Sequence, residues 1–156
     1  MRSGVLLVDD DPSVRRALSR AVRERRLPVR VVATVGDALA LVRHFVIERV
    51  PPFAMAVLDL EIGSRFGWDV APALPYETKV VFFTGTTDRD HLARARRYGE
   101  VIGKSVPEAL LARLDAVAVA AAAREEHTFL SGVPRGRPGR TEGATPFPRR
   151  RRVSGL

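Results

Sequence analysis

Five residues in this chain have the types and the setting to work together on one reaction. Asp9 and Asp10 follow the apolar run Val5 to Val8, Asp59 follows Ala54 to Leu58, Thr84 follows Lys79 to Phe83, and Lys104 follows Val101 to Gly103. Each stands where a short β-branched or aliphatic run ends, so a parallel sheet would bring all five to its carboxyl edge, where open α/β sheets bind ligands. Three carboxylates gathered there repel one another unless a cation lies among them. Mg²⁺ is the natural choice, a hard ion held by one or two carboxylates together with phosphate oxygens. With the Lys104 ammonium and the Thr84 hydroxyl beside it, the set suits the charge spread over a phosphoryl group in transfer. Asp59 would be the nucleophile and the product an aspartyl phosphate.

The elements between these residues fit that arrangement. From Pro12, apolar residues recur at Val14, Ala17, Leu18, Ala21 and Val22, the spacing of an amphipathic helix. Val29 to Ala33 reads as a second strand, and Thr34 with Asp37 predicts a capping box opening a helix through Ala38, Val42, Phe45 and Val46. A short, weak helix is predicted over Gly67 to Leu74, a longer one over Thr87 to Tyr98, and a last one capped by Ser105 and Glu108 and running through Leu110, Leu114, Val117 and Ala121. Strands alternating with helices predict an α/β fold, a doubly wound five-stranded parallel sheet covered on both faces.

Composition narrows the classes. The chain has 156 residues, no cysteine and a formal net charge of +8. A disulfide scaffold, a thiolate metal site and a cysteine nucleophile are excluded, and a reducing cytoplasm is the expected location. No apolar run approaches the ~20 residues of a membrane span. Residues 1–127, the expected domain, carry a net charge of only +2. Residues 128–156 carry +6, with five Gly and four Pro, and read as a disordered Arg/Pro/Gly-rich tail. Its run Arg149 to Arg152 is suited to nucleic-acid phosphates, an acidic protein or anionic lipid. The three histidines, His44, His91 and His127, follow no ligand spacing and are assigned no chemistry. Phe45, Phe82 and Phe83 are expected in the core, and Trp68 partly exposed beside the site.

Val-Asp-Asp-Asp-Pro-Ser-Val-Arg at 8–15, Val-Leu-Asp-Leu at 57–60, Phe-Phe-Thr-Gly at 82–85 and Gly-Lys at 103–104 resemble the receiver domain of bacterial two-component response regulators over roughly residues 4–122. Gly67, eight after Asp59, falls where that family has a glycine. The resemblance implies a flavodoxin-like receiver and a switch more than an enzyme. A sensor histidine kinase or phosphotransfer protein would phosphorylate Asp59, with autophosphorylation and autodephosphorylation as the chain's own activities. It implies Mg²⁺ held by Asp9, Asp10, Asp59 and the backbone carbonyl of Glu61, whose side chain would modulate dephosphorylation. Thr84 would move toward the phosphoryl group, Lys104 would pair with it, and the small Gly85 would leave its approach open. Arg15, Arg16 and Arg20 would offer a surface to the kinase, and the altered face would bind a downstream protein effector. Four departures stand out. Ser105 follows the lysine where the family has proline, Val101 occupies its aromatic position with Tyr98 nearby, Gly63 replaces a proline, and the stretch from Asp59 to Thr84 is short. They leave two other readings open, a phosphorylation-independent docking module and a nucleic-acid-associated regulator acting through the tail.

Overall fold

A computed structural model describes residues 4–48 and 53–131. The order is β1 (Val5–Val8), α1 (Pro12–Glu24), β2 (Val29–Val32), α2 (Val35–Ile47), β3 (Met55–Leu58), a hairpin of β4 (Glu61–Ile62) and β5 (Arg65–Phe66), β6 (Lys79–Thr84), α3 (Arg89–Ala95), β7 (Glu100–Gly103) and α4 (Pro107–Ser131). Five strands form one parallel sheet in the order β2-β1-β3-β6-β7. The chain therefore winds outward from β1 in both directions, and the crevice lies at the carboxyl ends of β1 and β3.

Strand side chains alternate between two cores. Leu6, Val8, Ala56, Leu58 and Phe82 pack with Val35, Ala38 and Val42 of α2 and Ala95 of α3. Val5, Leu7, Met55, Val57, Val81, Phe83 and Ile102 pack with Val22 of α1 and with Leu110 and Leu114 of α4. Being buried on both faces is why the central strands β1 and β3 read as unbroken apolar runs. Asp11 caps α1 by accepting the Ser13 and Val14 amides, and Thr34 accepts the Asp37 amide at the start of α2.

Three expectations are corrected. No α-helix forms over Gly67 to Leu74: the segment makes two 3-10 turns, Gly67–Asp69 and Ala71–Ala73, because Pro72 and Pro75 leave no room for a continuous ladder. The helix expected over Thr87 to Tyr98 is confined to α3. Asp88 accepts the Asp90 and His91 amides and starts it there, and the Tyr98 and Gly99 amides both close onto the Ala95 carbonyl after its end. The last helix starts at Pro107, a favoured first position, with Ser105 left in the turn before it. It runs on to Ser131, past the expected domain end at 127, and the tail from 132 lies outside the described residues. Among the described residues no helix is long and apolar enough to cross a membrane.

β7 and α4 are tied by Arg113, whose Nε and Nη2 grip the Glu100 carboxylate at 2.7–3.1 Å. The hydrogen bonds from Arg113 hold the Glu100 carboxyl below its ordinary value. An acid with a lowered folded-state pKa contributes stability that is present above its unfolded value and lost as pH falls through the folded one. Glu100→Gln should therefore lower the melting temperature by a few degrees at pH 7, and the difference should close as pH drops below about 4.5. Thermal unfolding of both proteins between pH 3 and 7 checks this.

Candidate functional site

The carboxyl ends of β1, β3, β6 and β7 deliver Asp9, Asp59, Thr84 and Lys104 to one place. The Lys104 ammonium bridges two carboxylates, with Nζ 2.8 Å from Asp59 Oδ2 and 2.9 Å from Asp9 Oδ2. Its backbone is fixed to the neighbouring strand, the Lys104 amide donating to the Thr84 carbonyl at 2.8 Å. Ser105 in place of proline thus leaves the lysine on its target. Three further oxygens are also held: Asp9 Oδ1 accepts the Asp11 amide, Asp59 Oδ1 the Leu60 amide, and Asp10 Oδ2 the Gly63 amide at 3.0 Å.

Burial raises the Asp59 carboxyl above its ordinary value, with Asp9 adding repulsion against the opposing hydrogen bond from Lys104. Burial pulls the other way on Lys104, but its bonds to Asp59 and Asp9 outweigh this and keep the ammonium firmly charged. Three carboxylates consequently face one ammonium. One oxygen each from Asp9, Asp10 and Asp59 lie within 4.8 Å of one another, an all-oxygen donor set that fits a hard divalent ion and not a soft one. The excess negative charge and the destabilised Asp59 carboxylate are what such an ion would relieve. Glu61 has its backbone two residues on, in β4. Its partner across the hairpin, Phe66, directs its amide at Asp69 Oδ2 at 3.3 Å, so that donor is not spent on the Glu61 carbonyl.

Thr84 is buried at the end of β6 and its Oγ1 accepts the Thr86 amide at 3.2 Å. That fixes the oxygen and leaves the hydroxyl hydrogen to donate. At Gly85 an added Cβ would meet only Lys104 Cδ, at 4.0 Å, so the approach there is open.

Two glycines shape the loop after Asp59. Gly63 has φ +61° at the first of two hairpin-loop positions, where primed turns take glycine; this is why no proline stands there. Gly67 lies against the phosphoacceptor candidate itself, where a Cβ would collide with the Asp59 carbonyl oxygen and stand 3.2 Å from Leu58 Cβ. Its amide donates to the Leu60 carbonyl at 3.0 Å. Gly67→Ala should force these backbones apart, costing about 1–3 kcal/mol. We expect a lower melting temperature together with weaker Mg²⁺-induced quenching of Trp68 fluorescence.

Several placements differ from expectation. Trp68 is buried, only 4% exposed, stacked on Phe66 with ring centroids 4.2 Å apart and covered by the Arg94 guanidinium at 4.5 Å. Arg15 does not line the exposed side of α1 with Arg16 and Arg20: its Nη1 donates to the Asp9 and Asp10 carbonyls, both at 2.9 Å, and clamps the acidic loop. Val101 is half-buried against the Phe82 side of the sheet and Tyr98 is exposed. His91, given no role by its spacing, has Nδ1 3.2 Å from Glu61 Oε1, beside Thr86 Oγ1 at 3.3 Å from the same oxygen. No sequence signal marks that meeting, since it joins side chains 30 positions apart across two loops.

The comparisons agree with the geometry. The model of the family described as response regulator receiver domain matches residues 5–115. The comparison with curated proteins returns no match. Among solved structures, a response regulator from Burkholderia pseudomallei with a phosphorylated aspartic acid, calcium and citrate is 23% identical, covers 84% of this chain and 76% of its own, and has a TM-score of 0.61. A signal receiver domain of an HD domain-containing protein from Pseudomonas fluorescens is 17% identical over 80% of this chain and 93% of its own, with a TM-score of 0.63. A CheY-like receiver domain protein from Methanospirillum hungatei is 20% identical over 75% and 97%, with a TM-score of 0.60. These likenesses show the fold.

Proposed function

The chain belongs to the response regulator receiver domain family, a family of phosphorelay switches, and on that premise we propose that Asp59 is its phosphoacceptor. The observation that carries this reading is the Lys104 bridge: a buried, destabilised carboxylate held at 2.8 Å by an ammonium that also engages Asp9.

An Asp59 oxygen attacks the phosphorus of the donor, a phosphohistidine or a small acyl phosphate. The new P–O bond forms as the donor's P–N or P–O bond breaks, and the leaving group keeps the electron pair. Lys104 balances the charge that builds on the phosphoryl oxygens, and Thr84 donates its free hydroxyl hydrogen to one of them. Arg15 keeps Asp9 and Asp10 in place through their carbonyls. Asp9, Asp10, Asp59 and the Glu61 carbonyl would hold Mg²⁺, which supplies further neutralisation of phosphoryl charge. Hydrolysis of the acyl phosphate returns the switch to its resting state, with Glu61 beside its path.

The phosphodonor in the cell is a sensor histidine kinase or phosphotransfer protein, and the output is a changed surface for a protein effector. A cytoplasmic location suits the cysteine-free composition. The docking-module alternative rested on the altered Lys104 loop together with Val101; Lys104 still reaches Asp59 at 2.8 Å despite that alteration, which supports the phosphoacceptor reading. The test is incubation with Mg²⁺ and acetyl phosphate, followed by intact mass and peptide mapping. A single Mg²⁺-dependent phosphoryl adduct on Asp59 is expected, and an adduct elsewhere would overturn the assignment.

A further inference from the structure

Between the site and α3 the chain steps forward through side chains that each accept an amide two or three residues on. Thr84 Oγ1 accepts the Thr86 amide at 3.2 Å, Thr86 Oγ1 accepts the Asp88 amide at 3.3 Å, and Asp88 Oδ1 accepts the Asp90 and His91 amides at 2.9 and 3.0 Å. The last step is the cap of α3. A single link of this kind is a common local turn. Here three are in series, and they start at the Thr84 hydroxyl, at the same sheet edge as Asp59.

The series is also braced from the side. Thr86 Oγ1 donates to Glu61 Oε1 at 3.3 Å, and His91 Nδ1 lies 3.2 Å from the same oxygen. A carboxylate only accepts, so Nδ1 carries the hydrogen. The His91 ring stands edge-on to Phe66 and Trp68, with centroids 4.9 and 5.6 Å apart. Arg94, one turn along α3, lies over the Trp68 face. Among the described residues, Thr86 alone bonds to Thr84, to the α3 cap and to Glu61 together.

We infer that Thr86 is a positioning residue that couples the Thr84 hydroxyl to α3. When Thr84 turns toward a phosphoryl group on Asp59, the Thr86 amide follows its acceptor, and the Thr86 hydroxyl hands the movement to the α3 cap and to the Glu61–His91 brace. The packing of His91 and Arg94 on Trp68 changes as a result. This rests on Asp59 being the phosphoacceptor.

Trp68 is the chain's single tryptophan, so its emission reads the end of the path without a label. The experiment follows that emission while Mg²⁺ and acetyl phosphate are added, with intact mass measured on the same samples. It compares the native chain with Thr86→Val, which keeps the side chain's shape and the amide bond to Thr84 but loses both hydroxyl bonds, and with Thr86→Ser, which keeps them. At equal adduct, Thr86→Val is expected to show no more than about a third of the native emission change, and Thr86→Ser to match the native chain. A full response in Thr86→Val, or a native chain that carries the adduct with no emission change, overturns the coupling. Absence of any adduct on the native chain, visible in the mass alone, overturns the phosphoacceptor reading and the coupling with it.

Discussion

Asp59→Asn will carry no phosphoryl adduct after incubation with Mg²⁺ and acetyl phosphate, and at pH 7 it will melt a few degrees above the native chain. The two effects have one cause. The Asp59 carboxyl is raised above its ordinary value by burial first and by Asp9 second, so its ionised form is disfavoured in the folded protein. An acid raised in this way is most favourable to the fold when protonated, at low pH, and stability is lost as pH rises through its folded-state pKa. Above that pKa the neutral amide removes a cost; below pH 3.8, where native Asp59 is itself protonated in both states, the advantage disappears. The reactivity and the instability thus belong to the same carboxylate, held in place by the surrounding fold. Intact mass and melting curves at pH 3.5 and 7 check both halves. An adduct on the variant, or a variant less stable at pH 7, would sink the account.

The main features of the sheet were legible because its central strands are buried on both faces. Runs such as Val5 to Val8 and Met55 to Leu58 are apolar without interruption, and the first polar residue after each marks where the strand leaves the core. That is why Asp9, Asp59, Thr84 and Lys104 could be set at one edge from their positions alone. The family match supports the receiver fold those positions implied.

Where the reading failed, the deciding interaction was local and geometric, or distant in sequence. The Gly67 to Leu74 segment has apolar residues at helical spacing, yet Pro72 and Pro75 limit it to 3-10 turns. The β4–β5 hairpin depends on two-residue strands too short to show alternation, and only Gly63 hints at it. Ser105 carries a capping pattern, but proline at 107 fixes the helix start after it. Trp68 lies in a polar, glycine-containing stretch and is buried by Phe66, His91 and Arg94, residues that only the tertiary fold brings over it. Arg15 is placed by helical spacing on an outward side, while its length lets the guanidinium turn back to the Asp9 and Asp10 carbonyls.

Lys104→Met should have the opposite effect on stability from Asp59→Asn and should slow phosphorylation without abolishing it. Methionine keeps the length and the apolar stem but leaves Asp9 and Asp59, both buried, without the cation that bridges them. Removing one partner of a fully buried pair costs about 3–5 kcal/mol. Here the lysine side chain is a quarter exposed and the carboxylates retain their amide donors, so a loss of about 1–2 kcal/mol is expected at pH 7. The loss should shrink as pH falls and Asp59 protonates. Adding Asp59→Asn to the same chain should recover part of it, because only one carboxylate then needs a counter-charge. Phosphorylation from acetyl phosphate should slow by about 10²-fold, the usual penalty for deleting one preorganised group at a developing oxyanion. Mg²⁺ should raise the melting temperature of the variant more than that of the native chain, since the ion then neutralises two carboxylates that the lysine no longer serves. A variant with native phosphorylation rate would show that Lys104 only balances the resting site and takes no part in the transfer.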